Sequence, residues 1–121
     1  MKNFWTIIVC FLSLFALNAC NSEDNIKTLS AKKVYFFYQN TCPHCHTAAQ
    51  YIKNKYPQLS VDKRDIRLLG NMAMFKQAVM AYNIRSSAGT PLICFGEHYI
   101  MGWGPKDYEV FDYYVQPYLP E

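Results

Sequence analysis

Hydrophobic and polar positions alternate in three different rhythms along this chain, and the changes of rhythm mark its elements. Val34, Phe36 and Tyr38 fall on one side of an extended run and Tyr35 and Phe37 on the other. A segment apolar on both faces suits a strand inside a helix-covered sheet. In HTAAQYIKNKY the rhythm becomes helical, with Ala49, Ile52 and Tyr56 in one stripe and Pro57 placed to stop it. Leu59 to Ile66 alternates apolar with charged residues, which predicts a second, less buried strand. In GNMAMFKQAVMAYNI a helical stripe returns through Met74, Phe75, Ala78, Val79 and Tyr82, and the methionines read as part of a core stripe. PLICF and HYIM around Gly96-Glu97 predict a hairpin. Pro105 then opens a last helix that packs Val110, Phe111, Tyr114 and Val115 inward, and Pro117 closes it. The order strand, helix, strand, helix, strand, strand, helix predicts an α/β domain of about four strands and three helices.

Upstream of this domain the pattern differs. Phe4 to Leu17 is apolar apart from Thr6 and Ser13. At about 1.5 Å per residue it covers roughly 21 Å, short of the ~30 Å hydrocarbon core. With Lys2 before it and small residues after it, residues 1–19 read as an export signal. The run ends Leu17-Asn18-Ala19-Cys20, which resembles the lipobox of bacterial lipoproteins. That resemblance implies a diacylglyceryl group on Cys20, cleavage before it, and lasting attachment to a membrane, since several acyl chains hold stably. An uncleaved anchor and an ordinary signal are the alternatives. Residues 20–31 form the lipidated end and a polar tether with a reach on the order of 15–20 Å, leaving 32–121 as the domain.

About 100 mature residues allow one domain with a modest core. The net charge is +3 and no basic run exceeds two residues, so nothing argues for nucleic-acid binding. Aromatic residues make up 17% of the chain, ten of them tyrosines, which predicts an aromatic core. Of five cysteines, Cys10 leaves with the signal and Cys20 carries lipid, so Cys42, Cys45 and Cys94 remain. Export permits disulfides.

The stretch TCPHCH, Thr41 to His46, carries the candidate chemistry. Its Cys-x-x-Cys spacing serves a redox disulfide, half of a zinc site, or the Cys-x-x-Cys-His handle for c-type haem. A cytochrome would use His46 as an axial ligand, with Met80 or Met101 opposite. A zinc or copper site would draw on Cys42, Cys45 and Cys94 or His98, but no second Cys-x-x-Cys or His pair completes four ligands. A disulfide across so short a loop stabilises little, which makes it useful as a bond that opens and closes. Pro43 fits the first turn of the following helix, placing Cys42 at the helix lip and Cys45 one turn inside.

Taken together, the Cys42-Pro43-His44-Cys45 set between a buried strand and a helix, Thr90-Pro91 before a later buried strand, and Met101-Gly102-Trp103-Gly104 before the last helix resemble the thioredoxin superfamily over Lys33 to Tyr118. Cys-Pro-x-Cys and the Gly96 hairpin are similar to glutaredoxins, and the Pro-His pair resembles periplasmic Dsb-type oxidases. The resemblance implies a thioredoxin-like fold, a cis peptide before Pro91 that presents backbone to a substrate strand, and thiol–disulfide oxidoreductase activity without a cofactor or metal. It implies Cys42, Cys45, His44 and Pro91 as catalytic residues and Thr90, Pro43 and Trp103 as substrate contacts. Partners would be protein thiols and disulfides, with glutathione a second candidate. Trp103 stands where the glutaredoxin glutathione pattern has glycine. The protein is expected to be a monomer in the cell envelope or periplasm.

Physical chemistry gives each sulfur a part. Only a thiolate attacks a disulfide, and a helix start favours negative charge. Cys42 is therefore the nucleophile, His44 adds a hydrogen bond or positive charge, and the deeper Cys45 resolves the mixed disulfide. Cys94 reads as a buried inert thiol. His46 reads as an exposed helix residue, with proton transfer the alternative, and Tyr38 flanks the loop. Oxidase, reductase and isomerase all remain open directions.

Overall fold

The computed structural model describes residues 29–121. The signal 1–19, Cys20 and most of the tether lie outside the described residues. Four strands and three helices follow in order: β1 (Val34–Tyr38), α1 (Pro43–Lys55), β2 (Val61–Asp65), α2 (Leu69–Ala81), β3 (Leu92–Phe95), β4 (His98–Met101) and α3 (Asp107–Tyr114). A short 3-10 turn, Gln116–Tyr118, follows α3.

Burial of β1 on both faces sets the architecture. The sheet order is β2-β1-β3-β4, with β1 parallel to β2 and antiparallel to β3. The two central strands, VYFFY and LICF, are buried almost throughout. The edge strand β2, VDKRD, keeps charges on an unpaired rim that would otherwise invite pairing. On one face Val34, Phe36, Ile93 and Phe95 pack with Ala48 and Ile52 of α1 and Phe111 of α3. On the other Tyr35, Phe37, Leu92 and Cys94 pack with Phe75 and Ala78 of α2. The first core is aromatic: Phe95 and Phe111 meet edge to face at 5.3 Å between ring centres. Such pairs add to stability beyond their buried area.

Three boundaries differ from the pattern-based expectation. The strand expected over Leu59 to Ile66 contracts to β2, because the Leu59 N–H turns back to the Tyr56 carbonyl at 3.1 Å and the Leu68 N–H to the Asp65 carbonyl at 3.2 Å. The last helix starts at Asp107 rather than Pro105, where the Asp107 carboxylate accepts from the Gly104 N–H at 2.7 Å. Pro117 sits within the 3-10 turn. The methionine stripe also divides: Met72 and Met74 pack against the α2 core, whereas Met80 is 78% exposed. Met80 lies five residues beyond Phe75, about 140° around a helix of 3.6 residues per turn.

The hairpin is as short as its sequence suggests. Phe95 pairs with His98, so Gly96 and Glu97 alone make the turn. Gly96 has φ +66 and Glu97 does not have positive φ, the arrangement of a II′ turn with glycine first. A Cβ at Gly96 would also stand 3.0 Å from the Tyr118 hydroxyl.

Candidate functional site

Everything singled out by the TCPHCH motif lies where the C-terminal end of β1 meets the first turn of α1. Cys42 is the N-cap of α1, with extended backbone (φ −95, ψ 109), and Pro43 is the first helical residue. Proline's missing N–H costs nothing there. The Cys45 backbone N–H donates to Cys42 Sγ at 3.2 Å, so sulfur does the capping that a serine or aspartate oxygen usually does. Cys42 and Cys45 form a disulfide, with Cα atoms 5.2 Å apart. Cys42 is half-buried and Cys45 only 3% exposed. One sulfur can be reached from outside and its partner cannot.

Thr90 and Pro91 arrive from the loop before β3. The Thr90–Pro91 peptide is cis, as the resemblance implied. Cys42 Sγ lies 3.5 Å from the Thr90 carbonyl oxygen, and Pro91 is buried with its own carbonyl accepting from the Gly102 N–H at 2.8 Å. Two opposing influences therefore act on a Cys42 thiol. The carbonyl accepts from the protonated form and favours it, while the Cys45 N–H and the positive helix end favour the thiolate.

The remaining expected residues fall in several places. His44 is exposed on the first turn of α1. Trp103 is 6% exposed and packs against Tyr51, Tyr108 and Phe111. Its Nε1 is the buried side-chain polar atom without a hydrogen-bond partner among the described residues. Cys94 pairs with Tyr35 at the opposite end of the sheet. It is a free thiol, 1% exposed, and burial pushes its pKa up to about 12. His98 stacks flat on Tyr114, 4.5 Å between ring centres, and its strand position beside Phe95 puts it at that far end too. The four side chains considered for a metal site are thus not brought together, and among the described residues no cluster of three or more His, Cys, Asp or Glu forms one. Met101 packs on the α2 side of the sheet, across from His46.

Two features had little signature in the sequence. His46 Nε2 lies 2.8 Å from the Asn40 carbonyl oxygen, which ties the first turn of α1 to the loop leaving β1. Beside it a cleft of about 180 Å³ runs between α1 and the sheet edge, with Tyr38, Cys45, His46 and Lys63 on its walls. The register that sets Lys63 next to Phe36 brings that cation there. Elsewhere, Asp112 of α3 accepts from Tyr51, Tyr56 and Lys55, each at 2.6 Å. This joins α1 to α3 across more than fifty residues, a separation that local pattern cannot report.

Comparison with protein-family models, with curated proteins and with solved structures returned no match.

Proposed function

We propose that this chain is an exported, membrane-tethered thiol–disulfide oxidoreductase of the thioredoxin superfamily. It exchanges disulfides with protein or small-molecule partners through Cys42 and Cys45, with lipid on Cys20 as its anchor. One observation carries the reading: an accessible sulfur caps a helix, receives a backbone N–H from the residue it is bonded to, and has a shielded sulfur behind it. That asymmetry suits sequential exchange. The outer thiolate attacks a partner disulfide, and the inner thiol then displaces the partner and closes the Cys42–Cys45 bond, carrying two electrons to the partner. Run backwards, the same steps donate a disulfide. The Thr90 backbone beside Cys42 offers an extended partner segment a place to pair.

Replacing the outer sulfur tests the reading. Cys42→Ser is expected to reduce disulfide exchange with a test peptide to the background rate, and undiminished exchange overturns the proposal. Direction is then decided by equilibrating the wild-type dithiol with glutathione. A potential near the roughly −270 to −200 mV of thioredoxin and glutaredoxins favours a reductase, and one near about −120 mV a disulfide donor.

A further inference from the structure

Resolution of a mixed disulfide on Cys42 requires the Cys45 thiol to lose its proton, and the thiolate is the form that attacks. No polar or charged residue is buried among the described residues, so no buried base stands beside Cys45. Cys45 and His46 both line one cleft, whose volume of about 180 Å³ leaves room for a short file of water.

The groups facing that cleft can be sorted. Tyr38 comes from β1 and Lys63 from β2; the connecting Gln39 and Asn40 carry no charge. Arg67 lies within electrostatic reach of Tyr38, and its guanidinium is paired with Asp65 at 2.8 Å. His44 and Cys42 share the first turn of α1 with His46. An ammonium has donors only, so Lys63 can stabilise a thiolate but not take its proton, and a phenol is a weak acceptor. His46 differs. A carbonyl oxygen only accepts, so its 2.8 Å contact with Nε2 assigns the hydrogen to Nε2 and leaves Nδ1 as the basic nitrogen of the neutral ring.

We propose that His46 is the base that takes the Cys45 proton through this cleft when the mixed disulfide is resolved. The inference rests on the dithiol reading above. The Cys45 S–H bond breaks and the proton passes to His46. The Cys45 sulfur bonds to Cys42, and the Cys42–partner bond breaks. The partner departs as a thiolate with the electron pair and collects a proton, and His46 returns its own to water.

A chromogenic nitrobenzoate disulfide separates the two steps in the full-length reduced protein. The first equivalent of nitrothiolate reports attack by Cys42, and the second reports displacement by Cys45. In the wild type the second phase is expected to accelerate between pH 5 and 8, as catalysis by a base that is protonated in acid requires. His46→Gln retains an N–H for the Asn40 carbonyl and should leave the first phase intact. Its second phase should slow about a hundredfold at pH 7, within the range of general-base contributions, and gain speed only above pH 8. Lys63→Met should keep the wild-type pH profile. An unchanged second phase in His46→Gln overturns the assignment to His46, as does loss of the pH 5–8 acceleration in Lys63→Met. Absence of the first phase in the wild type removes the dithiol reading itself, and this inference with it.

Discussion

Cys42 and Cys94 are the same chemical group in opposite settings. Cys42 is half-buried at a helix start, with an N–H at 3.2 Å from its sulfur. Cys94 is 1% exposed, and burial pushes its thiol up to about 12 despite the opposing influence of the nearby Tyr82 hydroxyl. In the reduced, folded protein, iodoacetamide at pH 7 should therefore modify Cys42 first and leave Cys94 untouched until denaturant is added. Peptide mass mapping reads both sites. Alkylation of Cys42 should persist below the pH at which a free thiol, pKa about 8.5, falls silent; ordinary thiol behaviour at Cys42 counts against a helix-stabilised thiolate. Much of this contrast is legible in the letters, because Pro43 signals the helix start and LICF signals burial. The His46–Asn40 contact is not, because a histidine on an exposed helix face looks alike whether or not its ring turns back to a carbonyl.

Between elements, the largest polar feature is the clamp of Asp112 on α1. Desolvation raises the Asp112 carboxyl, but hydrogen bonds from Lys55, Tyr51 and Tyr56 together hold it below its ordinary value. A depressed carboxyl contributes stability above its unfolded pKa of about 3.9 and loses it as pH falls through the folded value. Tyr56 behaves in the opposite sense: burial and then Asp112 push its phenol up to about 12. Its contribution is full below the unfolded value near 10 and is lost as pH rises toward 12. Asp112→Ala leaves two phenols without their charged acceptor and should cost about 2 kcal/mol at pH 7, within the range for such bonds. In urea melts, the gap between wild type and variant should be flat above about pH 5 and close below about pH 4. Trp103 gives a second check nearby. Its unpartnered Nε1 adds nothing to stability, so Trp103→Phe should cost under about 1.5 kcal/mol, against roughly 3–5 for Trp103→Ala. The helices themselves were legible from periodicity. What periodicity missed was Met80, which shares the chemistry of the stripe but not its angle, and the Asp112 clamp, which joins residues distant in sequence.

Across the described domain, chain direction places Cys42 and the incoming residues 30–31 at opposite poles. β1 begins at Val34 and its five residues extend about 16 Å before the chain turns into Cys42. Thr90 and Gly102 gather at that same pole, because β3 starts and β4 ends there. At the other pole the incoming chain is pinned: the Ser30 N–H donates to the Tyr35 hydroxyl at 3.0 Å, and the Tyr118 hydroxyl donates to the Ala31 carbonyl at 3.0 Å. On the proposed function, a tether that joins the domain beside the Gly96 turn enters at the pole opposite the disulfide. The α/β class and element order needed only the hydrophobic rhythm, whereas this polarity follows from strand pairing, which the rhythm does not encode. On the proposed function, Cys20→Ser should move the protein from the membrane to the soluble fraction. Its exchange rate with a soluble disulfide peptide should stay within about twofold of wild type, because Ser30 and Ala31 make their hydrogen bonds at the pole opposite Cys42. A membrane-bound Cys20→Ser protein argues against lipid at that cysteine. A soluble one with much slower exchange argues that the anchor pole and the disulfide are coupled after all.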